Sequence, residues 1–159
     1  MGHRRIGFIK GHPNHMSSDD RLFGYRRALD RAGIAFEPQL ITPGEFDFES
    51  GVTACGYFLD LPDPPTAIFA ANDDMAAGVL SMAHDRGIDL PGQLSVAGFD
   101  DTTLARTVWP PLTTIRQPVA ELARTATEVL ITGGEISHHR LPHLLVERAS
   151  VAPPRRTAP

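Results

Sequence analysis

The 159 residues suffice for one domain or one large subdomain with a real core, and 42% hydrophobic against 21% charged residues is a globular balance. A net charge of −4 with no Lys/Arg block argues against a nucleic-acid surface, so any DNA binding by a parent protein is expected to lie outside these residues. The lone Cys55 rules out an intrachain disulfide and a Cys-based zinc site, and its apolar neighbours Val52, Phe58 and Leu59 point to a buried, inert thiol.

Met1-Gly2-His3-Arg4-Arg5 leads straight into the apolar run Ile6–Ile9, which reads as a buried strand. That run is too short for an export signal, and no stretch is long enough to span a membrane, so the expected compartment is the cytoplasm. The abrupt start suggests a chain cut from something longer. Ser17-Ser18-Asp19-Asp20 then offers capping oxygens and first-turn carboxylates. Leu22, Tyr25, Leu29 and Ala32 follow at helical spacing, with Gly33 as the stop.

The alternation continues along the chain. Gln39–Thr42 predicts a second strand, and Val52, Cys55 and Leu59 mark a helix ending before Pro62. Thr66–Ala70 is a third strand, Asp73–Arg86 a third helix with Met75, Val79 and Met82 inward, and Leu94–Phe99 a fourth strand. Strands spaced by helices imply an α/β fold, a parallel sheet with helices on both faces. Residues 100–111 form a long irregular connection. Leu112–Arg116 is a further strand, and Pro118 suits a first helical turn. Val119, Leu122, Ala126 and Val129 form a last amphipathic helix, closed by Gly133-Gly134; Leu144–Glu147 is a last strand, and 152–159 a disordered tail.

Ligands of open parallel sheets bind beyond the carboxyl ends of the strands. Asn72-Asp73, Asp100-Asp101 and Arg21 all fall there, Arg21 in the expected first turn of its helix. A carboxylate, a carboxamide and a guanidinium can each hold two adjacent hydroxyls, which suits a sugar or another polyol. Phe46, just past the second strand, would add an apolar face. The alternatives are that Asn72 and Asp73 only cap their helix, Asp100-Asp101 only shape a turn, Arg21 is solvated, and Phe46 is ordinary core.

No other chemistry stands out. His12 and His15, and the later His138, His139 and His143, lack a Cys or regular carboxylate partner for a metal. There is no glycine-rich phosphate cradle, no G-x-S-x-G elbow, and no His placed to activate a particular Ser. Neither a cofactor nor a catalytic residue is expected, and the chain is not read as an enzyme.

Three segments resemble a known family: Thr66-Ala67-Ile68-Phe69-Ala70-Ala71-Asn72-Asp73-Asp74-Met75-Ala76-Ala77-Gly78, Leu94-Ser95-Val96-Ala97-Gly98-Phe99-Asp100-Asp101, and Pro110-Pro111-Leu112-Thr113-Thr114-Ile115-Arg116-Gln117-Pro118. In this order they resemble the effector domain of lactose-repressor (LacI/GalR) transcription regulators, and Gly2–Ile6 and Arg21-Leu22-x-Gly24-Tyr25 match as well. The resemblance implies a two-lobed, periplasmic-binding-protein-like (type I) fold with its ligand in the interlobe cleft. It implies that Arg21, Asn72 and Asp100 are polar ligand contacts, Phe46 an aromatic wall, Gln117 a hinge-side contact, and His12 part of a variable ligand-selecting loop. Val119 departs from the pattern, since some members carry an aromatic there.

The resemblance further implies one lobe from 1–111 and 140–151, a strand–helix unit 112–134 belonging to the other, incomplete lobe, and an absent DNA-binding headpiece. The implied partners are a small-molecule effector, carbohydrate by class, DNA through that headpiece only, and a second copy in a homodimer. The self-contact is expected on helix Asp73–Arg86 through a second apolar stripe, Ala77 and Leu80; the alternative is that this helix is buried within one subunit. A periplasmic-type sugar-binding transport protein shares the fold and is the competing reading.

Overall fold

In the computed structural model, which describes residues 1–133 and 140–155, four parallel strands form the main sheet. They are β1 (Ile6–Ile9), β2 (Ile41–Thr42), β3 (Ala67–Ala70) and β4 (Ser95–Ala97), in the spatial order β2-β1-β3-β4. The helices between them are α1 (Met16–Arg31), α2 (Phe48–Leu59) and α3 (Asp73–Asp85). From β1 the chain steps outward to β2 and then back across to β3. Right-handed crossovers therefore place α1 on one face and α2 and α3 on the other.

Phe8, Ile9, Cys55, Phe58, Ile68, Met75, Val79 and Val96 fill the core between these layers. Phe8 stacks on Tyr25 at 5.0 Å between centroids, and the Tyr25 hydroxyl reaches the Ile6 carbonyl at 2.8 Å. α2 and α3 pack at glycine distance: a Cβ on Gly78 would lie 2.1 Å from the Phe48 carbonyl oxygen, and one on Gly51 2.1 Å from that of Met75. Burial pushes the Cys55 thiol up to about 12, as expected of an inert side chain.

Several expectations need correction. α1 begins at Met16 with His15 before it and no side-chain cap; the Ser18 hydroxyl instead donates to the His12 carbonyl. Arg21 consequently lies in the second turn of the helix. The segment expected as strand Gln39–Thr42 opens as a 3-10 turn, Pro38–Leu40, because Pro38 has a φ suited to a first helical position and no N–H for a ladder. Ala77 and Leu80 are buried within the chain, at 3% and 2% exposure, so they present no second stripe to another copy.

Beyond β4 come a short α4 (Leu104–Thr107), β5 (Thr114–Arg116), α5 (Val119–Thr132) and β6 (Leu144–Val146). The free edge of β4 is shared by two segments. Val96 N–H donates to the Ser150 carbonyl at 2.8 Å, and Gly98 N–H to that of Thr113 at 2.9 Å. The Ser150 hydroxyl, fully buried, ties both together by donating to Val96 O and accepting from Thr113 N. Ala152 is held by Ser95 and by the His3 ring, so the tail boundary read at that residue falls too early. Residues 156–159, like His138, His139 and Gly134, lie outside the described residues.

β5 and β6 pair antiparallel as a separate two-stranded sheet. No residue of α5 is buried: Val119 is 63%, Leu122 42% and Ile131 77% exposed, and Leu144 and Leu145 of β6 are more than half exposed. Gly133 ends α5 in the left-handed conformation that favours glycine. Among the described residues, no helix is long and apolar enough to cross a membrane.

Candidate functional site

The carboxyl ends of β1, β3 and β4 open onto one cleft. Asp100 lies just past β4 and Arg21 in α1, with Arg21 Nη2 3.6 Å from Asp100 Oδ1. The other guanidinium nitrogen donates to the Ala71 carbonyl at 2.8 Å, beside Asn72. Gln117, between β5 and α5, donates its Nε2 to Asp100 Oδ1 at 2.6 Å. Arg21 rests on the ring of Phe99 at 4.1 Å and faces that of Phe46 at 5.5 Å. A cavity of about 430 Å³ is lined by Arg21, Phe99, Gln117, Ser17 and His143. A second cavity, about 410 Å³ between β2 and α2, is lined by Thr42, Glu45, Ser50, Thr53 and Tyr57 and touches none of Arg21, Asn72, Asp100 or Gln117.

Local backbone geometry aims these groups. Phe46, Asp100 and Asp101 all have positive φ, at 62°, 115° and 55°. Asp tolerates that region comparatively well, whereas a bulky Phe does not, so its surroundings must hold it there. Gly11 leaves the space: a Cβ on it would sit 1.9 Å from the Phe46 ring. Asn72 caps α3 by accepting from Met75 N–H at 3.0 Å, and its amide donates to Phe46 O at 2.8 Å. Asn72 therefore does cap its helix, and the same side chain holds the backbone of Phe46.

His12 and His15 flank the mouth. His12 Nε2 is 3.4 Å from Glu45 Oε2, and the His15 ring stands edge-on to Phe46 at 5.5 Å. Among the described residues, no group of three or more His, Cys, Asp or Glu side chains is arranged to hold a metal.

The adjacent aspartates face opposite ways. Burial pushes the Asp100 carboxyl up, against the Gln117 hydrogen bond and Arg21. Burial also pushes Asp101 up, but hydrogen bonds from Arg148 and Arg116 and their charges outweigh it, leaving its carboxyl below the usual range. Asp73 is fully buried, and its carboxyl is raised by burial. It accepts from Thr114 Oγ1 at 2.5 Å, Thr102 N at 2.7 Å and Thr102 Oγ1 at 3.2 Å. Burial likewise draws the Arg21 guanidinium down, with Asp100 opposing.

The site thus brings together Arg21, Asp100, Gln117 and Phe46, with Asn72 beneath Phe46 and His12 at the rim. Sequence reasoning missed Phe99, His15 and Glu45. Phe99 carried a signal: it ends the apolar run directly before Asp100, where ligand groups of parallel sheets lie.

A family model described as a periplasmic binding protein-like domain matches residues 1–151. The HTH-type transcriptional repressor CytR of Escherichia coli K12 is 47% identical over 131 residues, covering 82% of this chain and 38% of its own length. The ribose operon repressor of Haemophilus influenzae is 42% identical over 130 residues, 82% of this chain and 39% of its own. A solved sugar-binding transcriptional regulator of the LacI family from Escherichia coli, complexed with phosphate, superposes with a TM-score of 0.87 at 34% identity, covering 96% of this chain and 56% of that one. The chain spans about two fifths of the length of these curated relatives.

Proposed function

Since the chain belongs to the periplasmic binding protein-like family, as the effector-binding domain of a LacI-type transcription regulator, we propose that its cleft senses a small polar, sugar-like effector and thereby controls DNA binding by a helix-turn-helix elsewhere in the parent protein. The carrying observation is the convergence of Arg21, Asp100 and Gln117, with the Arg21 guanidinium against the rings of Phe46 and Phe99. Arg21 and Asp100 supply paired donors and paired acceptors for adjacent hydroxyls, and the rings supply an apolar face for the C–H side of a sugar. Gln117 belongs to the unit that leaves the main sheet, so a ligand touching both Gln117 and Asp100 favours one angle between them. That differential affinity is what can alter DNA binding at a distance.

In this reading 1–111 and 140–151 form one lobe and 112–134 belongs to a second. The unburied apolar side of α5 supports that division. The relatives named above are repressors, which favours a regulator over a transport protein and over an enzyme. The parent protein is read as a cytoplasmic homodimer. With Ala77 and Leu80 buried, its self-contact must use other side chains, and sedimentation equilibrium tests for it.

A thermal-shift screen of pentoses, hexoses and disaccharides on the full-length regulator tests the function, because a ligand of the folded state raises stability by mass action. A hit should lose its affinity in Asp100→Ala while operator binding persists. Calorimetry showing unchanged affinity in that variant would remove Asp100 from the site.

A further inference from the structure

Asp101 turns away from the cleft, and its side chain is only 1% exposed. One carboxylate oxygen accepts from Arg116 Nε at 2.5 Å with Arg106 of α4 at 3.8 Å, and the other accepts from Arg148. Arg116 ends β5, and Arg148 lies two residues past β6. One buried carboxylate of the main lobe therefore grips both strands of the pair that carries α5. The grip is braced further: Arg148 also donates to Leu112 O at 2.7 Å, its N–H donates to Thr113 Oγ1, and Asp101 N–H donates to Thr114 Oγ1 at 3.4 Å. Thr114 in turn donates to Asp73 at the start of α3. Across the next peptide, Asp100 N–H donates to Ile115 O, and its carboxylate accepts from Gln117.

We propose that Asp101 is a positioning residue: it clamps the β5–β6 pair to the lobe and so sets the angle at which Gln117 meets Asp100. This rests on the reading above only for its purpose, since the grip itself needs no effector. Arg106, Arg116 and Arg148 face the carboxylate from α4, β5 and the segment after β6, and Asp73 from α3. Burial alone does not explain three arginines on one carboxylate, because a single bidentate partner would satisfy its oxygens.

The test uses the full 159-residue chain with spin labels at Arg31→Cys on α1 and Leu144→Cys on β6, read by pulsed dipolar resonance with no ligand added. Asp101→Asn is the first variant, since Asn tolerates the left-handed φ at this position. Arg148→Lys is the second; it keeps the charge but loses the planar fork. The native chain should give one narrow distance distribution, and each variant at least a twofold broader one. Hydrogen exchange of residues 113–116 should rise at least tenfold, while that of 67–70 and 95–97 stays within threefold. An unchanged width in both variants, or protection lost equally across the main sheet, overturns the clamp. A cleft that binds no sugar leaves this result untouched, so the two readings fail separately.

Discussion

Gly11→Ala isolates the aromatic wall from the rest of the fold. The new Cβ would lie 1.9, 2.2 and 2.5 Å from three atoms of the Phe46 ring, against about 3.5–4.0 Å for a carbon contact. The ring edge must therefore retreat by about 1.5–2 Å, and Phe46 is only partly buried, at the edge of the core cluster. Leaving its place costs the face offered to Arg21 and the edge contact with His15, each worth about 0.5–1 kcal/mol. The expected loss is about 1–2 kcal/mol, or about 2–8 °C in Tm for a chain of this size. Proton NMR supplies the direct assay, because the His15 ring protons sit in the Phe46 ring current. Their resonances should move while the methyl resonances of Ile68 and Val96 hold still. Unmoved His15 signals would refute the steric argument, and a drop beyond about 4 kcal/mol would show that Phe46 is core.

Gly78→Ala should be far costlier, about 3 kcal/mol or more in a urea melt, because its Cβ meets backbone of α2 that cannot swing aside; a loss under 1 kcal/mol would contradict the close helix contact. Asp73→Ala strands the Thr102 N–H and should cost about 1–3 kcal/mol, whereas Asp73→Asn keeps an acceptor. The Asp73 carboxyl is raised in the fold, so its contribution is fully present below its ordinary range and declines as pH rises through the folded value; Asp73→Asn should gain on the native chain from pH 4 to 7. Asp101 has the opposite sign: its depressed carboxyl contributes above its ordinary range and loses that as pH falls through the folded value. The gap between native and Asp101→Asn should thus be present at pH 6 and close in strong acid, and a gap independent of pH would exclude the charge. Amides of α5 in the dilute chain should exchange much faster than those of α3; equal protection would mean that its apolar side is covered within the chain.

The order of the first four strands and three helices was legible from residues 6–97 because it depends on local patterning. Short apolar runs between Gly and Pro, and helical spacing at Leu22, Tyr25 and Leu29, are set by the nearest dozen residues. Position after the strands singled out Arg21, Asn72, Asp100 and Phe46 as candidates, and the resemblance carried by residues 66–78, 94–101 and 110–118 added Gln117 and His12. Chain distance hid the rest. Pro38 locally overrode a strand pattern. Ala77 and Leu80 have the spacing of a surplus apolar stripe, and that spacing does not reveal that both are buried within the chain. The sequence singles out Asp100 as a candidate ligand contact and assigns its neighbour Asp101 no partner. Positive φ at both residues sends one carboxylate into the cleft and the other onto Arg116 and Arg148, the latter 47 residues away. Periodicity is a property of neighbouring residues, whereas the partner of a buried charge is chosen by tertiary proximity, so only the folded chain could show that Asp101 meets Arg116 and Arg148.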